Sequence, residues 1–193
     1  AIDKNKKVIF EGAQGTLLDI DHGTYPFVTS SNCTTGGVCT GLGIPPKKVQ
    51  MVMGVCKAYK TRVGNGPFPT EITNAVGQKI QKIGNEFGAT TGRPRRIGWF
   101  DALVGKYAVM INGIDSIALT KLDVFTTVEK LKICVAYKYK GSVLKDFTTN
   151  MKILQSCEPV YEEMDGWWDD ITKVRNYEQL PNNAKKYLRR IEE

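Results

Sequence analysis

The sequence predicts an α/β fold built on a mixed or mostly parallel sheet, with helices on its faces and long ligand-binding loops. Two observations carry this reading. Segments with a helical apolar period alternate with short runs of continuous apolar residues, the pattern of helices packed on a sheet. The first half is also interrupted by long glycine- and hydroxyl-rich stretches, of a length that usually serves binding.

The elements follow in order. Lys7-Val8-Ile9-Phe10-Glu11 is a short apolar run that stops at Gly12, so it predicts a strand feeding a glycine-rich turn. Gly12 to Gly43 has few periodic apolar residues and predicts a long loop. Pro46 suits a first helical position, and Val49, Val52, Met53 and Cys56 follow at i, i+3, i+4, i+7. Ile72, Val76, Ile80 and Ile83 form a second helical stripe, stopped by Gly84. Trp99, Leu103, Tyr107 and Met110 form a third, stopped by Gly113. All three stripes are read as core-facing. Ser116 to Thr120 predicts a buried strand. Leu131 to Tyr139 predicts another, turning at Lys140-Gly141-Ser142 into a hairpin. Past Cys157 glycine becomes rare and acidic residues and Trp167-Trp168 appear. A last helix is expected from about Pro181, with Ala184, Leu188 and Ile191 inward. The chain starts without Met and ends without a helix stop signal, so a piece of a longer polypeptide is expected.

Composition narrows the function classes. With 41% hydrophobic and 24% charged residues, the 193-residue chain is of globular type, and no stretch approaches the roughly 20 apolar residues of a membrane helix. Lys+Arg number 27 against 20 Asp+Glu, a net charge of +7 that invites an anionic partner. The five cysteines form no Cys-x-x-Cys pair, and His22 is the sole histidine, which argues against a zinc site and against a disulfide framework. An intracellular, cytoplasmic protein with mostly buried, reduced thiols is expected.

Four stretches could carry chemistry. In Glu11-Gly12-Ala13-Gln14-Gly15-Thr16, glycines admit backbone N–H groups close to a ligand, and the Gln14 amide can donate and accept toward a lactam or base edge. It lacks the Gly-Lys-Ser/Thr ending of a Walker loop, and a plain turn is the alternative. In Thr29-Ser30-Ser31-Asn32-Cys33-Thr34-Thr35-Gly36-Gly37, clustered hydroxyls suit phosphate or sugar oxygens, or simply water. In Gly88 to Arg96, the guanidinium groups of Arg93, Arg95 and Arg96 suit bidentate capture of carboxylates or phosphates, with a solvated or nucleic-acid-binding basic loop as the alternative. Thr120-Lys121-Leu122-Asp123 follows the expected strand, where open α/β sheets bind nucleotides. Its carboxylate could accept from guanine N1–H and the exocyclic amine, or merely cap a helix. His22, beside Asp19 and Asp21, reads as a loop histidine rather than an acid/base. A basic nucleic-acid-binding domain stays open at this level, and a GTP-binding switch is weakened by the lack of a P-loop.

Taken together, these stretches resemble the adenylosuccinate synthetase family. The likeness runs through Val8 to Asp19, His22 to Pro26, Thr29 to Asn32, Thr61 to Gly64 and Gly66 to Glu71. It continues through Gly84 to Arg96, Leu119 to Val124, Glu158 to Glu162 and Asp165 to Trp167. It thus spans nearly the whole chain.

The resemblance implies a P-loop-like nucleotide-binding fold and an enzyme that joins IMP to L-aspartate with GTP and Mg2+, as a homodimer, acting on no membrane or nucleic acid. It implies IMP contacts from Gln14, Thr29, Val63 and Arg93. It implies an aspartate loop over Ala89, Thr90, Thr91, Gly92, Arg93, Pro94 and Arg95. It implies GTP contacts from Arg95, Lys121, Leu122 and Asp123. Pro94 departs from the all-arginine form of that loop and restricts Arg93 toward extended geometry. The family's phosphate-binding loop, general base, general acid and magnesium contacts have no counterpart motif in residues 1–193. The expectation is therefore a C-terminal portion of one larger catalytic domain, with no catalytic residue of its own and inactive alone.

Overall fold

The computed structural model describes residues 6–88 and 92–193. Its elements run α1 (Gly36–Leu42), β1 (Met53–Lys57), β2 (Lys60–Arg62), α2 (Ala75–Ile83), β3 (Arg96–Gly98), β4 (Phe100–Asp101), α3 (Ala102–Asn112) and β5 (Ser116–Thr120). They continue as β6 (Lys130–Tyr139), β7 (Ser142–Leu144), α4 (Met151–Ser156), β8 (Glu158–Asp165) and α5 (Asn182–Glu192).

The pairing is mixed. β1 and β5 are parallel, in register from Met53↔Ser116 to Lys57↔Thr120. β2 and β3 pair antiparallel. β6 is the hub of the largest sheet: β4 lies parallel to it, and β7 and β8 antiparallel. The β6–β8 register shifts between Cys134 and Ala136, which bends the strand.

The core centres on Phe125. Its ring meets Tyr59 at 5.7 Å, Tyr187 at 5.6 Å, Trp99 at 6.2 Å and Trp167 at 6.3 Å between centroids. Tilted and edge-on packing of this kind adds about 0.5–1.5 kcal/mol per pair beyond area burial. Tyr187 comes from α5 and donates its hydroxyl to the Ala58 carbonyl at 2.7 Å, tying the last helix to the β1–β2 turn. Asn74 caps α2 by accepting from Val76 N and Gly77 N, and Ile80 of that helix is fully buried.

Several expectations hold. Helices α2, α3 and α5, strand β5 and the β6–β7 hairpin form where the patterns put them, but Ile72 and Trp99 precede their helices, and Ile83 and Met110 of the stripes read as core-facing are 50% and 68% exposed. Others need correction. Residues 7–11 form no strand, and Ile9 is 92% exposed there, with no pairing strand beside it among the described residues. The stripe beginning at Pro46 is not a helix. Pro46–Lys48 makes one 3-10 turn, and the apolar residues after it enter β1, because pairing with β5 overrides a local helical period. The long loop contains α1, whose glycines hid it from the pattern. β5 is only partly covered, with Ile117 46% exposed, and of five free cysteines Cys134 alone is buried.

Candidate functional site

Two clusters of the expected site residues form. The first is organised by Asp19, a fully buried carboxylate that the motifs did not single out. It accepts the backbone N–H groups of Asp21 and His22 at 2.9 Å, Cys33 at 2.6 Å and Thr34 at 3.2 Å. Burial alone would raise its pKa, but these four N–H groups outweigh burial and lower it. One side chain thus folds residues 19–34 on themselves.

Asn112, the last residue of α3, ties this loop to the body. It accepts from Thr35 N and donates to Thr16 Oγ1, both at 2.9 Å. Arg62 does the same from β2, donating to Thr24 Oγ1 at 3.0 Å and the Phe27 carbonyl at 3.1 Å. Arg62 precedes Val63, so Val63, exposed by 53%, lies beside the loop that carries Thr29. Thr29 donates its hydroxyl to the Leu18 carbonyl at 3.0 Å. Gln14 stands exposed with φ of 63°, a left-handed backbone uncommon for a residue with a Cβ. Cys33 Sγ lies 3.4 Å from Thr29 Oγ1 and 3.8 Å from Gln14 Oε1. Gln14 and Thr29 therefore share one neighbourhood through Cys33, and Val63 follows the arginine that holds the same loop.

The second cluster lies at the carboxyl ends of the parallel strands, where open α/β sheets bind ligands. Glu86, exposed by 1%, is its centre. Lys57 Nζ, on the last residue of β1, lies 2.8 and 2.9 Å from its two oxygens. Tyr59 donates to Oε1 at 2.7 Å, and Arg95 Nη1 donates to Oε2 at 2.7 Å. Burial would raise the Glu86 pKa; the donors Lys57, Tyr59 and Arg95 reverse that and lower it. Burial lowers the Lys57 pKa, Glu86 opposes the shift, and the charges of Arg95 and Lys121 add to it. Lys121, itself left-handed at φ 62°, donates to the Gly84 carbonyl at 2.9 Å. Leu122 packs against the core, and Asp123 is exposed in the 3-10 turn Leu122–Phe125. Gly84 is required where it stands: a Cβ there would lie 2.4 Å from the Tyr59 hydroxyl.

The arginine stretch divides. Ala89, Thr90 and Thr91 lie outside the described residues. Around them, Gly88 N donates to Arg93 O, Gly92 N to Gly88 O and Arg95 N to Glu86 O, and Phe87 bridges Pro94, so the base of the loop is zipped. Arg93 is exposed. Arg96 is fully engaged elsewhere, with two bonds to Glu71 at 2.7 and 2.5 Å and bonds to the carbonyls of Gly64 and Gly66. Arg95 and Arg96, neighbours in sequence, thus turn to different carboxylates. Asp19, Lys57, Glu86 and Asn112 were missed by sequence reasoning because their roles depend on burial across long separations.

No group of three or more His, Cys, Asp or Glu side chains that could hold a metal ion forms among the described residues. No helix among them is long and apolar enough to cross a membrane.

Comparison with known proteins places the chain by sequence and by fold. The model of the adenylosuccinate synthetase family matches residues 1–193. A protein of Thermodesulfovibrio yellowstonii named adenylosuccinate synthetase is 58% identical over 193 residues, covering 100% of this chain and 45% of that protein. One of Exiguobacterium sp. with the same name is 56% identical over the same span, again 45% of its length. A solved structure described as fully ligated adenylosuccinate synthetase from Plasmodium falciparum superposes with a TM-score of 0.96 at 49% identity, covering 99% of this chain and 46% of that one. The chain spans somewhat under half the length of these relatives. A sequence match over residues 1–193, and a fold match over 99% of them, place this chain in the adenylosuccinate synthetase family.

Proposed function

We propose that this chain forms one portion of a single larger catalytic domain, cytoplasmic and homodimeric, that joins IMP to L-aspartate with GTP. The observation that carries the reading is the second cluster. There the base of the arginine loop and the Lys121–Asp123 turn meet at the carboxyl ends of β1 and β5, through Glu86 and Gly84. A base-reading turn and a phosphate-seeking arginine thus lie side by side.

The steps divide among the residues by their chemistry. GTP phosphorylates the purine 6-oxygen, and the aspartate amine then displaces that phosphate. Gln14 holds the hypoxanthine edge, since an amide meets both a ring oxygen and an N–H. Thr29 meets the 5′-phosphate, Val63 the ribose, and Arg93 the ribose and, with Thr91, the aspartate carboxylates. The loop backbone from Ala89 to Arg95, with Thr90, Gly92 and Pro94, encloses the aspartate. Arg95 reaches the GTP phosphates, where preorganised positive charge favours an anionic transition state. Lys121, Leu122 and Asp123 take the guanine. Magnesium ligands and the acid/base groups belong, in this reading, to the remainder of the domain. Arg95 and Arg96 are held by Glu86 and Glu71 rather than presented as a basic stripe, which leaves the nucleic-acid alternative without support.

The test is a coupled assay for adenylosuccinate. A polypeptide of the relatives' full length carrying this chain is expected to form it only with IMP, aspartate and GTP all present. The 193-residue chain alone is expected to form none. Absence of product from the full-length polypeptide would overturn the reading, and turnover by the short chain at about 1 per second or more would overturn its assignment as a portion.

A further inference from the structure

Glu86 has no role in the reading above, yet it is the most heavily engaged carboxylate of the second cluster. It is buried, and it takes four charge-assisted or phenolic bonds from Lys57, Tyr59 and Arg95. Stability alone does not account for it, because a buried ion pair is commonly no more stable than a well-packed apolar pair of similar volume. Its geometry suggests another use. Its backbone carbonyl already receives Arg95 N at 2.9 Å, and Gln81 Nε2 donates to Arg95 O at 2.6 Å, so the main chain at Arg95 is fixed without the carboxylate. What the carboxylate adds is the direction of the guanidinium. It takes Nη1, and the Arg95 side chain remains 32% exposed. The local charge is also unbalanced. Arg95 and Lys121 act on Lys57, and Arg95 acts on Tyr59, against the two carboxylates Glu86 and Asp123. The surplus is positive, as an anionic ligand requires.

We propose that Glu86 is a positioning residue that aims the Arg95 guanidinium, and braces Lys57 beside it, toward the phosphates of the nucleoside triphosphate. This rests on the reading that Arg95 meets GTP. Glu86 touches no ligand itself. It acts through Arg95 and leaves the Gln14–Thr29 neighbourhood alone.

The experiment uses the full-length polypeptide carrying this chain. Glu86→Gln keeps the shape and removes the charge. KM and Kd for GTP are expected to rise about tenfold, the worth of one charge-assisted hydrogen bond. The KM for IMP is expected to stay within about twofold, since no bond links Glu86 to that cluster. Adding Glu86→Gln to Arg95→Ala is expected to cost less than Glu86→Gln costs in the wild type, because the Arg95 share is already lost and only the bracing of Lys57 remains to lose. Equal rises for IMP and GTP, or additive losses in the double variant, would make Glu86 merely structural and overturn the proposal. If Glu86→Gln does not fold, Tyr59→Phe removes one donor and leaves the charge. It is expected to raise the GTP KM by about two- to threefold, and an unchanged GTP KM would overturn the proposal. Wild type that binds GTP without forming adenylosuccinate would sink the ligase reading alone, and Glu86 is then judged on GTP Kd. Wild type that binds no GTP overturns both.

Discussion

The Asp19 carboxylate accepts the backbone N–H of Cys33 at 2.6 Å across fourteen residues of chain, and that bond closes the loop bearing Thr29. Asp19→Ala leaves four N–H groups without this acceptor and is expected to cost about 1–3 kcal/mol. Amide exchange checks it: the amides of Asp21, His22, Cys33 and Thr34 should lose protection together. The sign with pH follows from a pKa lowered on folding. The stabilisation is complete above the unfolded value of about 4 and is lost as pH falls through the lower folded value. Protection of those amides that stays constant on acidification would refute the assignment.

Asp123 is exposed at the end of β5, in the turn whose Lys121 is anchored on Gly84. Its carboxylate can accept from two adjacent N–H groups of a guanine, whereas an amide offers one acceptor and one donor face. Asp123→Asn in the full-length polypeptide is expected to weaken GTP about 10- to 100-fold, on the scale of 1–3 kcal/mol for a bidentate base pair. XTP, which carries a carbonyl in place of the exocyclic amine, should regain part of the loss. Competition binding with both nucleotides measures it, and equal affinity of wild type and variant for GTP would rule out the guanine role.

Asp101 and Tyr137 form a buried pair in the β4–β6 sheet, with the phenol donating to Oδ2 at 2.5 Å. The other oxygen caps α3 by accepting from Val104 N at 3.2 Å. Burial first, and then the charge of Asp101, drives the Tyr137 pKa far upward, so the phenol stays a donor at any ordinary pH. Tyr137→Phe is expected to destabilise by about 1–3 kcal/mol, since it strands a desolvated carboxylate oxygen. Urea unfolding is the readout, and a change below about 0.5 kcal/mol would mean that the carboxylate finds another donor.

Gly166 follows β8 where the chain passes under the Val128 carbonyl. A Cβ there would lie 1.7 Å from that oxygen. Its own carbonyl accepts from Asn183 of α5 at 2.8 Å. Gly166→Ala is expected to displace this crossing and cost about 3 kcal/mol or more, in the range of severe steric lesions. The melting temperature checks it, and a melt within a degree or two of wild type would contradict the close approach.

Legibility in the sequence followed physical range. α2 and α5 were readable because Ile80 and Ala184 repeat with the helical period and are fully buried. The β6–β7 hairpin was readable because Lys140-Gly141 marks its turn. β1 was not. Val49, Val52, Met53 and Cys56 imitate a helical stripe, and only pairing with β5, far along the chain, makes the segment extended. The expected site residues were readable as chemical types. Asp19 and Glu86, which organise the two neighbourhoods, carry no local signature, because a carboxylate's burial is decided by donors brought from elsewhere.

The parallel pairing of β1 with β5 has a kinetic consequence. β6 meets β7 through a short turn, but Met53 finds Ser116 only after 62 intervening residues are arranged. Closing so long a loop is slow, because its entropy is lost before any contact rewards it. Lys57 and Thr120, the last matched pair, stand beside Glu86 and Lys121. The second cluster is therefore assembled by one of the latest events of folding. In pulse-labelled refolding, β6 amides should become protected before those of β1. Nucleotide affinity would then mature on the time scale of the slowest phase rather than with the hydrophobic core.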